Sequence, residues 1–157
     1  MLFNRLTFLA ALSICAATPC LARPAPLTPE QEAAAFLKQT AAQPGVVTLP
    51  SGLEYKIVES GDASGPHPTA SDSVMVNYVG KLSDGATFDD SHGNIVTLPL
   101  GGVIKGWTEG LQLMRPGDVW MLYIPPSLGY GEKGAGPIPP NSALVFRIEL
   151  VAISGRG

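Results

Sequence analysis

Glycine and proline interrupt the chain at short intervals from residue 44 onward, and this spacing limits the possible fold more than any other feature. The 157 residues include 18 glycines and 15 prolines. Proline lacks a backbone donor and glycine favours turns, so neither supports a long helix. We therefore expect short strands joined by turns, with few and short helices.

Between these breaks, apolar and polar residues alternate in several segments, which is typical of half-buried strands. The Asp84-Gly85 pair predicts a hairpin turn after the second of them. Residues 104–114 instead carry apolar side chains at helical spacing. Several antiparallel strands against one short helix make an α+β fold. The predicted strands span residues 53–60, 73–82, 95–100, 119–124 and 143–153.

A second short helix is predicted close to the N-terminus. Thr28 is a suitable N-cap, Pro29 suits the first helical position, and Gln31 can close a capping box. The helix should continue to about residue 42, with Phe36 and Leu37 as its apolar contacts. Because a helix of this length is marginal alone, we expect it to pack on the rest of the chain.

The first 22 residues resemble a secretion signal. Arg5 gives a basic start, residues 6–17 are almost wholly apolar, and small residues precede a cleavage point after Ala22. The apolar run is shorter than the ~20 residues that a membrane span needs, so we expect no stable span. A buried N-terminal helix, or a lipid anchor on Cys15 or Cys20, remains an alternative.

Both cysteines lie in this signal, so the cleaved chain would contain none. This excludes disulfides, thiolate metal sites and a cysteine nucleophile. We expect an exported protein of a bacterial periplasm, with secretion or lipid anchoring as alternatives. A net charge of −3 and scattered basic residues argue against a nucleic-acid partner. The expected organisation is a signal at 1–22, a tether, helix and first strand at 23–70, and the main domain at 71–157.

Several patterns that could indicate catalysis or ligand binding have a simpler explanation. Residues 129–134 match a glycine-rich phosphate-binding pattern, but prolines follow too closely for the helix that such a loop must open. His67 and His92 lie in polar turns and have no further ligand at i+4, so we expect no metal. Asp89 and Asp90 point to opposite sides of an extended segment, which argues against a paired acid and base. We expect no cofactor.

Aromatic residues are the remaining candidates for a functional site. For any single one, ordinary core packing is the simpler interpretation. Tyrosine hydroxyls, however, need partners when they are buried, and Tyr130 lies in a glycine-rich loop where a core residue is less expected. Aromatic walls with a few hydrogen-bonding groups suit a flat apolar ring such as that of proline. The set comprises Tyr78, Phe88, Trp107, Tyr130 and Phe146.

Four sequence blocks, which cover about residues 71–153 in order, resemble the FKBP-type peptidyl-prolyl cis–trans isomerases. They are VNYVGKLSDG with FDDS in 76–91, GVIKGWTEGL at 102–111, IPPSLGYG at 124–131 and IPPNSALVFRIEL at 138–150. The preceding TLPSGLEY at 48–55 resembles the exported, Mip-like bacterial branch. In that branch a long N-terminal helix supports dimerisation; only a short one is left here, so we expect a monomer.

The resemblance implies a half-open antiparallel sheet wrapped around one short helix, with a substrate proline entering between them. Trp107 would form the floor of the pocket. Tyr78, Phe88 and Phe146 would form its walls. The implied activity is rotation of X–Pro bonds during the folding of exported proteins, with proline-containing polypeptides as substrates and macrolide inhibitors of the FK506 and rapamycin type as ligands.

The resemblance also implies polar roles around the pocket. The backbone N–H of Ile104 and the hydroxyl of Tyr130 would donate hydrogen bonds to carbonyls of the ligand. Asp89 would be the buried-side carboxylate, held near Tyr78. Further apolar lining would come from Val103, Ile104 and Ile138.

Two departures from the family pattern affect substrate preference and inhibitor affinity. The segment 92–96 is short, and Val96 or Leu98 stands where an aromatic wall is often found. The loop 132–139 is also slightly shortened. Two other functions stay open on the sequence alone: a non-catalytic chaperone that binds proline-containing segments in the same pocket, and an interaction protein with a vestigial pocket.

Overall fold

The computed structural model describes residues 25–156, so the predicted signal at residues 1–22, with Cys15 and Cys20, lies outside the described residues. Within this part of the chain, neither helix is long and apolar enough to cross a bilayer.

The described residues form one seven-stranded antiparallel sheet with two helices, which confirms the predicted α+β class. The strand order is β1-β2-β6-β7-β3-β4, and β5 pairs with β3 beside β4. Three 3₁₀ turns, at Leu100–Gly102, Pro126–Leu128 and Gly131–Lys133, join these elements. The elements are α1 (Pro29–Ala41), β1 (Val46–Thr48), β2 (Glu54–Glu59), β3 (Asp72–Leu82), β4 (Thr87–Asp90), β5 (Val96–Pro99), α2 (Lys105–Leu111), β6 (Val119–Ile124) and β7 (Leu144–Arg156).

Helix α1 begins as predicted. The Thr28 side chain accepts a hydrogen bond from the Gln31 N–H, and the Gln31 side chain accepts one from the Thr28 N–H, which completes the capping box. The helix packs on the sheet through buried Ala33 and Thr40, and Phe36 lies 6.3 Å from the ring of Tyr123 in β6. The packing provides the support that a short helix needs.

Helix α2 lies on the other face of β6, because neighbouring strand residues point to opposite faces. Its two glycines allow a close approach: a Cβ atom at Gly106 would lie 2.7 Å from Ile124, and one at Gly110 would lie 2.9 Å from Leu122. Both distances are shorter than real side chains permit. The glycines therefore seat the helix directly on the core, and Trp107 is buried between them.

The α2 region departs from the prediction at its end. We expected a helix over 104–114, but α2 stops at Leu111. The chain continues in tighter turns, in which the Leu113 and Met114 N–H groups bond three residues back to Gly110 and Leu111. Met114 is still fully buried, so the apolar residue at this position belongs to the core although the α-helix has already ended.

Two short strands were not predicted. β1 has three residues and β4 has four, too few for alternation to be recognised. β1 pairs with β2, and β2 pairs with β6, so the N-terminal segment contributes to the same sheet as the rest. The expected domain boundary after residue 70 thus falls between two strands of one sheet, and it stays a proposal.

Candidate active site

A cleft of about 400 Å³ opens where α2 begins. The 3₁₀ turn before α2 and the helix itself form one side of the cleft, and β3, β4, β5 and β7 form the other. The loop after β6 contributes one tyrosine to the rim. The lining residues are Tyr78, Asp89, Leu98, Gly102, Val103, Ile104, Trp107, Tyr130 and Phe146.

Three aromatic rings form the base of the cleft. The Trp107 indole meets Tyr78 at 5.0 Å and 84°, and it meets Phe146 at 5.1 Å and 87°. Such edge-to-face contacts contribute about 0.5–1.5 kcal/mol each beyond the area they bury. Trp107 is only 4% exposed, but it still lines the cleft and leaves it open. The three rings are therefore held in a fixed arrangement.

A β-bulge in β4 turns two consecutive side chains toward the same face of the sheet. Asp89 pairs with Gly80, but Lys81 pairs with Thr87, so Phe88 is an extra residue without a partner in the ladder. Asp89 lines the cleft, whereas Phe88 packs edge-on against Phe146 at 5.4 Å, outside the lining. Simple alternation would have sent these two side chains to opposite faces.

Gly80 makes this arrangement possible. A Cβ atom there would lie 2.6 Å from the ring of Phe146 and 2.9 Å from that of Phe88. The two rings can meet only because this position carries no side chain.

The main polar contact in the cleft joins two of the predicted residues. The Tyr78 hydroxyl donates a hydrogen bond of 2.8 Å to the Asp89 carboxylate. Burial, followed by the hydrogen bond and negative charge of Asp89, raises the pKa of Tyr78 to about 12. Asp89 itself is exposed, which differs from the buried-side position we expected. Asp90 points elsewhere and accepts a hydrogen bond from the His92 N–H.

Two donors at the cleft have no acceptor among residues 25–156. Ile104 is the N-cap of α2, where the first backbone N–H groups lack helical partners. Its carbonyl accepts from Trp107 and Thr108, but its N–H stays free. The Tyr130 hydroxyl is also free, on a side chain that is 39% exposed. Both could donate to carbonyl oxygens of a bound peptide.

The structure brings eight of the ten predicted site residues to the lining. Ile138 is instead buried in the core, and Phe88 lies behind Phe146. At the position left open between Val96 and Leu98, Leu98 lines the cleft. Gly102 also lines it and was not predicted, although its place immediately before Val103 could have indicated it.

Two family models match this chain. The family described as "FKBP-type peptidyl-prolyl cis-trans isomerase" matches residues 65–151, and "Domain amino terminal to FKBP-type peptidyl-prolyl isomerase" matches residues 27–57.

Two relatives and two solved structures are similar over most of this chain. "Peptidyl-prolyl cis-trans isomerase Mip" of Coxiella burnetii is 47% identical over 78% of the chain and 54% of its own length. "Probable FKBP-type peptidyl-prolyl cis-trans isomerase FkpA" of Neisseria meningitidis is 50% identical over 79% and 46%. The chain thus spans about half the length of these relatives. A Pseudomonas syringae peptidyl-prolyl cis-trans isomerase superposes with a TM-score of 0.76 at 41% identity, covering 81% of this chain and 94% of that one. Escherichia coli FkpA superposes with the same TM-score at 43% identity, covering 80% and 59%.

Proposed function

We propose, because this chain belongs to the FKBP-type peptidyl-prolyl cis–trans isomerase family, that its cleft accelerates rotation about X–Pro bonds. The observation that carries the proposal is an open apolar cleft with a Trp107 floor and two free donors at its rim. A prolyl ring can enter such a space, and the donors can bind the carbonyls beside it. The substrates would be proline-containing segments of other polypeptides.

The reaction needs little chemistry. Amide resonance sets a rotation barrier of about 18–20 kcal/mol, and X–Pro bonds interconvert over roughly 10–100 s without help. A turnover on the order of 100 s⁻¹ requires three to four decades of acceleration, or about 4–6 kcal/mol. No covalent bond breaks, so the residues of the cleft have only to favour the twisted amide over the planar one.

The apolar base supports this preference. A twisted amide has lost resonance and its carbonyl is less dipolar, so a cleft that excludes water disfavours the planar ground state more. Trp107, Tyr78 and Phe146 would supply that surface. The Ile104 N–H and the Tyr130 hydroxyl would hold the flanking backbone in the rotated geometry.

The remaining site residues have supporting roles in this proposal. Asp89 orients the Tyr78 hydroxyl and moves no proton. Leu98 and Val103 enlarge the apolar lining. Phe88 fixes Phe146 from behind, and Ile138 closes the core beneath the rim.

A prolyl-peptide assay tests the proposal directly. We expect the purified chain to speed the cis-to-trans conversion of a short X–Pro peptide, and Trp107→Ala to abolish most of that rate. A macrolide of the FK506 type should compete for the cleft. Binding of the peptide without acceleration would refute the enzyme and would favour a proline-segment-binding chaperone.

We also propose that the protein acts outside the cytoplasm, in the periplasm, as a monomer. The support for export is the apolar segment at residues 6–17 and a relative of Legionella longbeachae that is named "Outer membrane protein MIP". The support for a monomer is the short helix α1, which has only 13 residues. Cell fractionation together with mass determination of the mature N-terminus tests export. Recovery of the full-length chain from the cytoplasm would contradict it.

A further inference from the structure

We propose that Ser91 is a positioning residue of the cleft. It follows the last residue of strand β4, and it keeps Asp89 on that strand within hydrogen-bond distance of Tyr78. The inference rests on the proposed function, since it explains how that site keeps its geometry. Ser91 does not line the cleft, and it is 93% buried.

Ser91 bonds to both backbone groups of Tyr78. Its N–H donates to the Tyr78 carbonyl at 3.0 Å, and its hydroxyl oxygen accepts from the Tyr78 N–H at 3.0 Å. The same hydroxyl donates to the Asn77 side-chain oxygen at 2.6 Å. The hydroxyl is therefore satisfied both as donor and as acceptor.

This arrangement replaces a missing ladder bond. In an antiparallel hydrogen-bonded pair, two residues exchange both N–H to carbonyl bonds. The Ser91 carbonyl is instead turned toward Asn94, where it accepts from the backbone N–H at 2.9 Å and from the side-chain amide at 3.1 Å. The hydroxyl takes the place of that carbonyl as the acceptor. The chain can therefore turn away from the strand while the Tyr78 N–H keeps a hydrogen-bond partner.

The position of Ser91 in the sheet explains why this bond matters. One side of β3 is shared by β4, which pairs with residues 79–81, and β5, which pairs with residues 73–76. Asn77 and Tyr78 fall in the gap between them, and Ser91 bonds to both.

Ser91 lies close to the hydrogen-bonded pair of Tyr78 and Asp89. β4 is an edge strand of four residues, and the bulge at Phe88 interrupts its ladder on one side of Asp89. Ser91 bonds to β3 on the other side. Loss of its hydroxyl would leave the Tyr78 N–H without an acceptor and would loosen the strand that carries Asp89.

The test compares Ser91→Ala and Ser91→Thr with the wild type. Ser64→Ala is the control, because the Ser64 hydroxyl bonds only to Asp62 in an exposed loop. For Ser91→Ala we expect kcat/KM on an X–Pro peptide to fall about tenfold, mostly in kcat. The Tyr78 phenol, followed by NMR of labelled tyrosine, should titrate below its value of about 12. Ser91→Thr should restore both properties, and Ser64→Ala should change neither.

Other outcomes separate this inference from the proposed function. An unchanged Tyr78 titration and unchanged kcat in a folded Ser91→Ala protein would overturn the positioning role. A wild type without isomerase activity would refute the proposed function, but the titration and the amide exchange of Tyr78 would still test Ser91. If Ser91→Ala does not fold, Asn77→Ala removes only the acceptor of the hydroxyl, and a lowered Tyr78 titration would then support the role while an unchanged one would refute it.

Discussion

The Tyr78 hydroxyl and the Asp89 carboxylate are joined by a hydrogen bond of 2.8 Å, although one belongs to a long central strand and the other to a four-residue strand at the sheet edge. The bond links the aromatic base of the cleft to its polar rim.

Replacing Asp89 should therefore reduce activity without abolishing it. For Asp89→Ala we expect kcat/KM to fall about tenfold with an intact fold, because Tyr78 loses its orientation and the ring stays in place. The Tyr78 pKa should fall from about 12 but stay above 10, since burial is the larger cause of its shift. Peptide assays and tyrosine NMR check these two effects. A rate as slow as the uncatalysed one would instead indicate a chemical role for Asp89.

The rate should be insensitive to pH between about 6 and 9. A pKa of about 12 keeps the Tyr78 hydroxyl protonated throughout this range, and no group is proposed to transfer a proton. A direct spectroscopic assay without a coupling protease gives the profile. A sigmoidal dependence on one carboxylate titration would argue for acid–base catalysis.

Trp107 can be tested with a graded pair of substitutions. Trp107→Ala should lower stability by about 3–5 kcal/mol and remove most activity, because the floor of the cleft is lost. Trp107→Phe should retain much more of both, since the indole N–H has no hydrogen-bond partner within residues 25–156. Phe146→Ala should also cut turnover. Urea unfolding with peptide kinetics measures these changes, and wild-type turnover in both alanine variants would refute the pocket.

The space at Gly80 offers a test by compensation. Gly80→Ala should lower kcat/KM, because the new methyl group must displace the ring of Phe146 or Phe88. Adding Phe88→Leu, which replaces one of the two rings with a smaller side chain, should recover part of the lost kcat/KM. Phe88→Leu alone serves as the control. Full activity of Gly80→Ala would show that the wall can shift without consequence.

A buried carboxylate connects α1 to the sheet and predicts a pH-dependent stability. Glu54 is 4% exposed and accepts a hydrogen bond from the Thr40 hydroxyl; burial raises its pKa, and that bond partly offsets the effect. The raised pKa means that the folded state binds this proton more tightly than the unfolded state. Glu54 therefore contributes its full stabilisation to the folded state below the ordinary glutamate pKa. This contribution is lost as pH rises through the pKa of Glu54 in the folded state.

Thr40→Val and Glu54→Gln check this linkage. Thr40→Val should lower the free energy of unfolding by about 1–3 kcal/mol at pH 7, because the buried Glu54 carboxylate loses the hydrogen bond that it accepts from Thr40. The loss should be smaller at pH 4. Thr40→Ser keeps the hydroxyl and should cost less. Glu54→Gln should flatten the decline in stability between acid and neutral pH. Parallel urea titrations at several pH values measure these differences, and an equal cost of Thr40→Val at both pH values would contradict the assignment.

Much of the fold and of the site could be predicted because it depends on short-range signals. The Thr28 to Gln31 capping box lies within one helical turn, and the long strands show their alternation locally. The family blocks likewise predicted seven residues that line the cleft. By contrast, β1 and β4 are too short to show a pattern, and they form because neighbouring strands provide hydrogen-bond partners.

The sequence alone determined the class of fold, the N-terminal helix and the aromatic composition of the site, since capping, alternation and motif spacing are properties of residues close along the chain. Only the tertiary structure decided that Leu98 and not Val96 lines the cleft, that Phe88 lies behind Phe146, and that Ser91 replaces a ladder bond to Tyr78. These features depend on a bulge and on contacts between distant strands, and such contacts have no local signature because the partner that creates them lies elsewhere in the chain.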